Sequence, residues 1–189
     1  MTRDELLRQS KNVNERHISG MPSRNFRYQD VRLKESGGSK LMNVDGSGAP
    51  VDFFIQPPVG ELWIVPYVTL LIIDPGDMGP EVFGSFGAAL TNGLKLIEEV
   101  NSVESVYTTL VDNADLVQCF FGAGLSGIAA GLGADAGFLN SVDKALGRME
   151  FSTPIILNGD DNDKLLLRVA DDLLLIEYMA ASAHIRVER

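Results

Sequence analysis

The chain has 189 residues and a mass of 20.5 kDa, with 45% hydrophobic and 22% charged residues; this suits one compact domain with an appendage and excludes global disorder. A single cysteine, Cys119, excludes an internal disulfide and a Cys-based zinc cage, and fits synthesis in a reducing cytoplasm. Two histidines, His17 and His184, leave little for His-ligated metals or His-based nucleophilic catalysis, so neither an enzyme nor a cofactor is expected.

The formal net charge of −10 is unevenly spread. Residues 1–40 hold nine Lys/Arg against five acids, a net of +4, while the rest of the chain carries −14. An acidic body repels nucleic acid and anionic lipid, which removes both as main partners. A basic segment on an acidic body points either to an arm laid on its own or a neighbour's body, or to a solvated tail. No basic stretch followed by an apolar run opens the chain, so no secretory leader is expected.

Residues 1–40 read as an N-terminal arm. Thr2-Arg-Asp-Glu5 has capping-box spacing ahead of Leu6 and Leu7, which predicts a short helix. Phe26, Tyr28, Val31 and Leu33, interleaved with Arg27, Arg32 and Lys34, predict an extended strand that must be disordered or laid along something else. With Arg24, these form the expected docking set: Arg24, Phe26, Arg27, Tyr28, Val31, Arg32 and Leu33. Gly37-Gly38-Ser39 is the expected hinge to the body.

Residues 41–189 read as short strands divided by turns. Val51, Phe53 and Ile55 alternate. Leu62 to Ile73 is the strongest run, β-branched and aromatic, and Pro66 predicts a bend or bulge within it. Trp63 and Tyr67, in the most apolar stretch, are expected in the core. Met78 to Thr91 predicts a loop, Asn92-Gly93 introduces the next strand, and Val103 to Val111 gives another. Phe151 to Leu157 and Leu165 to Ala170 flank Asn158-Gly-Asp-Asp-Asn-Asp163, which reads as a hairpin with an acidic tip facing water. The closing strand alternates Ala183, Ile185 and Val187 against outward His184, Arg186 and Glu188. The pattern predicts an all-β fold, a jelly-roll-like antiparallel β-sandwich.

A Gly-rich insertion at about 115–147 breaks the rhythm. Gly122-Ala-Gly124-Leu-Ser-Gly127 matches G-x-G-x-x-G, but no βαβ context surrounds it, so it reads as a glycine loop and not a dinucleotide site. Leu116 to Ala134 carries no charge but is diluted by glycine, Ser126 and Gln118, which argues against a membrane span. A loop packed on a partner subunit is the favoured reading, with Phe120, Phe121, Leu125 and Ile128 as its docking side chains. Asp160, Asp161 and Asp163 lack the glycine and distal glutamate of an EF-hand loop, and Ser126 lacks the second glycine of G-x-S-x-G. No carboxylate pair stands out for glycoside hydrolysis.

The blocks Met42-Asn-Val-Asp-Gly-Ser-Gly-Ala-Pro-Val-Asp-Phe53, Pro57-Pro-Val-Gly-Glu-Leu-Trp-Ile-Val65, Phe86-Gly-Ala-Ala-Leu-Thr-Asn-Gly-Leu94 and Val169-Ala-Asp-Asp-Leu173 resemble small β-sandwich virion proteins of tailed bacteriophages. The similarity runs from about Leu41 to the end. It implies a non-enzymatic tail or baseplate subunit, or else a capsid decoration or neck-collar protein. Such a protein would be made in the host cytoplasm and assembled in the virion with copies of itself and other virion proteins, without a small-molecule substrate. An arm that adds a strand to a neighbour's sheet would fit that role. The rival reading is a carbohydrate-binding module for host attachment, which requires an exposed aromatic platform.

Overall fold

The computed structural model describes residues 26–75, 81–112, 115, 128–129 and 143–188. Outside them lie the expected N-terminal helix, Arg24, and, in the Gly-rich insertion, Phe120, Phe121, Leu125 and the G-x-G-x-x-G run. The strands are β1 (Arg27–Arg32), β2 (Val51–Ile55), β3 (Leu62–Asp74), β4 (Leu94–Val100), β5 (Val103–Leu110), β6 (Ile128–Ala129), β7 (Asp143–Asn158), β8 (Lys164–Val169) and β9 (Tyr178–Glu188). One-turn 3-10 helices occur at Gly84–Phe86 and Gly159–Asp161.

Two antiparallel sheets form a sandwich. One has the order β1-β9-β3-β7-β6, the other β2-β8-β4-β5. With the two-residue β6 set aside, this four-over-four order is that of a jelly roll, as the turn spacing predicts. Among the long strands only β4 and β5 are consecutive and paired; the other connections cross between sheets. Asn158–Asp163 is therefore an arch joining β7 in one sheet to β8 in the other, and not the expected hairpin. The reason is register: β7 is taken by β3, and β8 by β2 and β4.

Alternation builds the core. Phe53 and Ile55 from β2, Leu94 and Leu96 from β4, Leu165, Leu167 and Val169 from β8, and Ala183, Ile185 and Val187 from β9 all point inward. β3 keeps that phase only by breaking it. Pro66 has no N–H for the ladder, and the register of β3 with both neighbours shifts between Val65 and Tyr67. Val65 and Val68 are thus both buried, while Tyr67 turns outward instead of entering the core as expected.

Residues 26–34 of the expected arm lie on the body of their own chain as part of the sandwich. β1 pairs along β9 of the same chain from Arg27↔Val187 to Arg32↔Ser182, and Leu33 is completely buried in the core. The sequence parity explains the split. Phe26 and Tyr28 are even-numbered and face out, whereas Val31 and Leu33 are odd-numbered and face in, so the four do not share one face.

Three buried carboxylates hold the loops by accepting backbone N–H groups. Asp171 accepts from Thr91, Asn92 and Gly93, the last at 2.7 Å. Asp163 accepts from Asn101 and Asn158, both at 3.0 Å, and is 3% exposed, so this member of the acidic tip does not face water. Asp74 takes the Ser85 N–H and hydroxyl, and the Glu177 N–H. Gly93 has φ +74, and a Cβ there would lie 2.8 Å from the Leu110 carbonyl, so only glycine fits this turn. In the β4–β5 hairpin, Asn101 and Ser102 take φ of 51° and 64°, the pattern of a type I′ turn.

Candidate interaction face

The two outer faces of the sandwich carry different sets of side chains. On the β2-β8-β4-β5 sheet the outward side chains form an ion-pair lattice. Arg168 on β8 donates to both Asp52 oxygens at 2.8 and 2.9 Å, and to Glu104 across the sheet at 2.8 Å. Lys164 pairs with Glu99 at 3.0 Å. Glu99 and Glu104 are direct cross-strand partners, and their like charges are offset by these two cations. The Arg168 guanidinium holds the Glu104 carboxyl below its ordinary value of 4.5, and its own pKa is raised by hydrogen bonds to Asp52 and then Glu104. Between these pairs run the cross-strand partners Phe54, Leu166, Ile97 and Val106, of which Leu166 and Ile97 are buried and Val106 is exposed, and Lys164 lies 6.0 Å over the Phe54 ring.

The outer face of the five-stranded sheet carries a row of flat groups running across four strands. His184 on β9 stacks on Tyr67 of β3 with ring centroids 4.8 Å apart and planes 2° from parallel. On its other side Tyr28 of β1 stacks at 5.6 Å and 14°. The Arg148 guanidinium of β7 lies 4.7 Å over the Tyr67 ring. At the opposite end Phe26 meets Tyr28 edge-on at 5.8 Å, and Arg186 lies 5.6 Å over Phe26.

Register produces this row. His184 is the direct partner of Tyr67 on one side and of Asp30 on the other, and Tyr28 and Arg148 reach in from diagonal positions. Polar contacts flank the row: His184 Nδ1 lies 2.8 Å from Asp30, Arg186 pairs with Glu188 at 2.7 Å, and Arg148 pairs with Glu150. Phe26 and Tyr28 remain 47% and 57% exposed.

This geometry decides what can dock. A sugar ring stacks on an open aromatic face, but both faces of His184 and Tyr67 are covered by neighbours in the row. What the row offers solvent is ring edges, hydroxyls and the open sides of Phe26 and Tyr28. Tyr, Phe and Arg, three of the side-chain types in this strip, are among those enriched at protein–protein contacts.

Of the expected docking residues, Phe26, Tyr28 and Arg32 face outward on this sheet, and Arg27 is exposed at the start of β1. Val31 is half-buried and Leu33 buried, so both serve the core instead. Ile128 lies in β6, against Ala145 of β7. Trp63 is 6% exposed, with its Nε1 donating to Glu61, and is a core residue as expected. The sequence reading missed Tyr67, Arg148, His184 and Arg186 as members of one site. The alternation of β9 already turned His184 and Arg186 outward, but the bulge hid Tyr67, and Arg148 had no local signal.

Among the described residues, no group of three or more His, Cys, Asp or Glu side chains is placed to hold a metal ion, and no helix is long and apolar enough to cross a membrane. The fold is a jelly-roll β-sandwich with a stacked aromatic row on the outer face of one sheet. Comparison with protein-family models, curated proteins and solved structures finds no match.

Proposed function

We propose that the chain is a non-enzymatic structural subunit of a tailed-phage virion, most simply a tail or baseplate component, that docks on other virion proteins and on copies of itself through the outer face of the β1-β9-β3-β7 sheet. The observation that carries this reading is the stacked row Phe26–Tyr28–His184–Tyr67–Arg148 across four strands. The jelly roll and the resemblance of the turn-and-strand blocks support the same role. Capsid decoration or a neck collar would use this face in the same manner. β1 is the edge strand of its sheet and among the described residues pairs with β9 of its own chain alone, with Tyr28 and Arg32 pointing outward on the proposed docking face.

Quantitative mass spectrometry of purified virions tests the role. The expected result is this chain at a fixed ratio to the tube or capsid proteins, with a copy number matching a ring or shell symmetry. Its absence from particles in which other virion proteins are recovered would refute it.

The exposed rings of Phe26 and Tyr28 keep a carbohydrate-binding reading in play. A glycan array separates the two: specific glycan binding by the monomer, abolished by Tyr28→Ala, would favour the carbohydrate reading over docking to protein.

A further inference from the structure

β1 is attached to the sandwich in a way that a second copy can reproduce. Among the described residues it pairs with β9 alone, ending with the Leu33 N–H donating to Ala181. The chain then leaves the sheet and returns at Met42, whose N–H donates to Met179 further along β9. Between these points residues 35–39 fold on themselves, with Glu35 N–H donating to Ser39 and Gly38 N–H to Glu35. The tie from this stretch to the other sheet is the Lys34–Phe54 bridge. A groove of about 420 Å³ separates the loop from Phe54, Pro57, Pro58 and Trp63, so the loop stands off the core. A Cβ on Gly38, whose φ is +91°, would meet nothing within 4 Å.

We infer that β1 exchanges between copies in the assembled state: β9 of one protomer takes β1 of a second, and the chains cross at Gly37-Gly38. The inference rests on the structural-subunit reading and deepens it, because the second copy then supplies Tyr28 and Asp30 to the row completed by His184 and Tyr67 of the first. Every contact of β1 is the same in the closed and exchanged forms, so hinge geometry and local concentration decide between them. A short flexible linker holds its own strand at roughly millimolar effective concentration. Subunits fixed side by side in an assembly match that. Extended at roughly 3.3 Å per residue, segment 34–41 reaches about 26 Å, enough to cross to an adjoining body.

Cross-strand cysteines test this in the full chain with Cys119→Ser as background. Arg32 and Ser182 are Cα partners on the outward face, at a separation a disulfide spans. The double variant Arg32→Cys/Ser182→Cys is expected to close within one chain when dilute. A mixture of the two single variants, refolded together and oxidised from micromolar to about millimolar concentration, is expected to give a disulfide-linked dimer that grows with concentration. Deleting Gly37-Gly38 is expected to raise the dimer yield several-fold, because a shortened hinge disfavours the closed form. A mixture that never cross-links while the double variant does would overturn the exchange. So would a dimer, seen by light scattering, that carries no Arg32→Cys to Ser182→Cys bond between chains. Either result leaves the docking face intact, whereas absence of the chain from virions defeats the structural role and not strand exchange in solution.

Discussion

Single residues show where the fold stores its stability. Asp171 and Asp172 are adjacent acids in one turn, yet only Asp171 is buried, and it alone gathers three backbone N–H groups from residues 91–93. Asp171→Ala strands those donors and is expected to cost about 3 kcal/mol in urea unfolding, while Asp172→Ala costs under about 1 kcal/mol. Leu33→Ala is expected to cost about 3 kcal/mol, because a cavity opens between the sheets, whereas Phe26→Ser is expected to leave stability within about 0.5 kcal/mol. Glu104 sets a pH dependence. Its folded pKa lies below its ordinary value of 4.5, so its ion pair with Arg168 stabilises the fold above that pH and is lost as pH falls through the folded value. Asp45, lowered by the Ser47 hydroxyl, acts in the same direction. The Arg168→Met variant is expected to show a shallower fall of melting temperature below pH 4.5 than the parent; an unchanged acid limb would contradict the assignment.

At the scale of elements, period-2 alternation made most strands legible before any coordinates. β2, β8 and β9 declare their inner faces through Phe53/Ile55, Leu165/Leu167 and Ala183/Ile185/Val187, because burial on one face forces that period. The bulge of β3 was legible too, since a proline inside a β-branched run cannot stay in a two-sided ladder. Which strands pair was not legible. Asn158–Asp163 has turn chemistry that serves a hairpin and an arch equally well, and the partner of β7 is β3, whose pairs run from Asp74↔Asp143 to Leu62↔Asn158, far apart in the chain. β1 was readable as a strand, but its attachment to β9 of its own chain depends on a pairing across most of the sequence. This sets an expectation for truncation. Among the described residues every member of the core cluster lies at residue 33 or beyond, and removal of residues 1–25 is expected to preserve cooperative thermal unfolding. Removal of residues 1–33 also takes away Leu33 and uncovers the β9 edge, and is expected to lower the melting temperature markedly and to cause aggregation.

At the scale of the whole molecule, the stacked row on the outer face of the five-stranded sheet was hidden in the sequence. Aromatic and basic residues at positions 26, 28, 67, 148, 184 and 186 converge only when four strands take their register. A matched pair of variants tests the docking face most directly. Tyr28→Ser/Tyr67→Ser alters the outer face of the five-stranded sheet, and Lys95→Ser/Thr109→Ser alters the outer face of the other. Both proteins are to be checked for native circular dichroism and cooperative unfolding, then offered in competition with wild type during particle assembly. The expected result is that the tyrosine variant is excluded from particles by at least about tenfold, a loss of about 1.4 kcal/mol in docking, while the Lys95/Thr109 variant enters as well as wild type. Equal incorporation of the folded tyrosine variant would contradict the assignment of the aromatic row as the docking face.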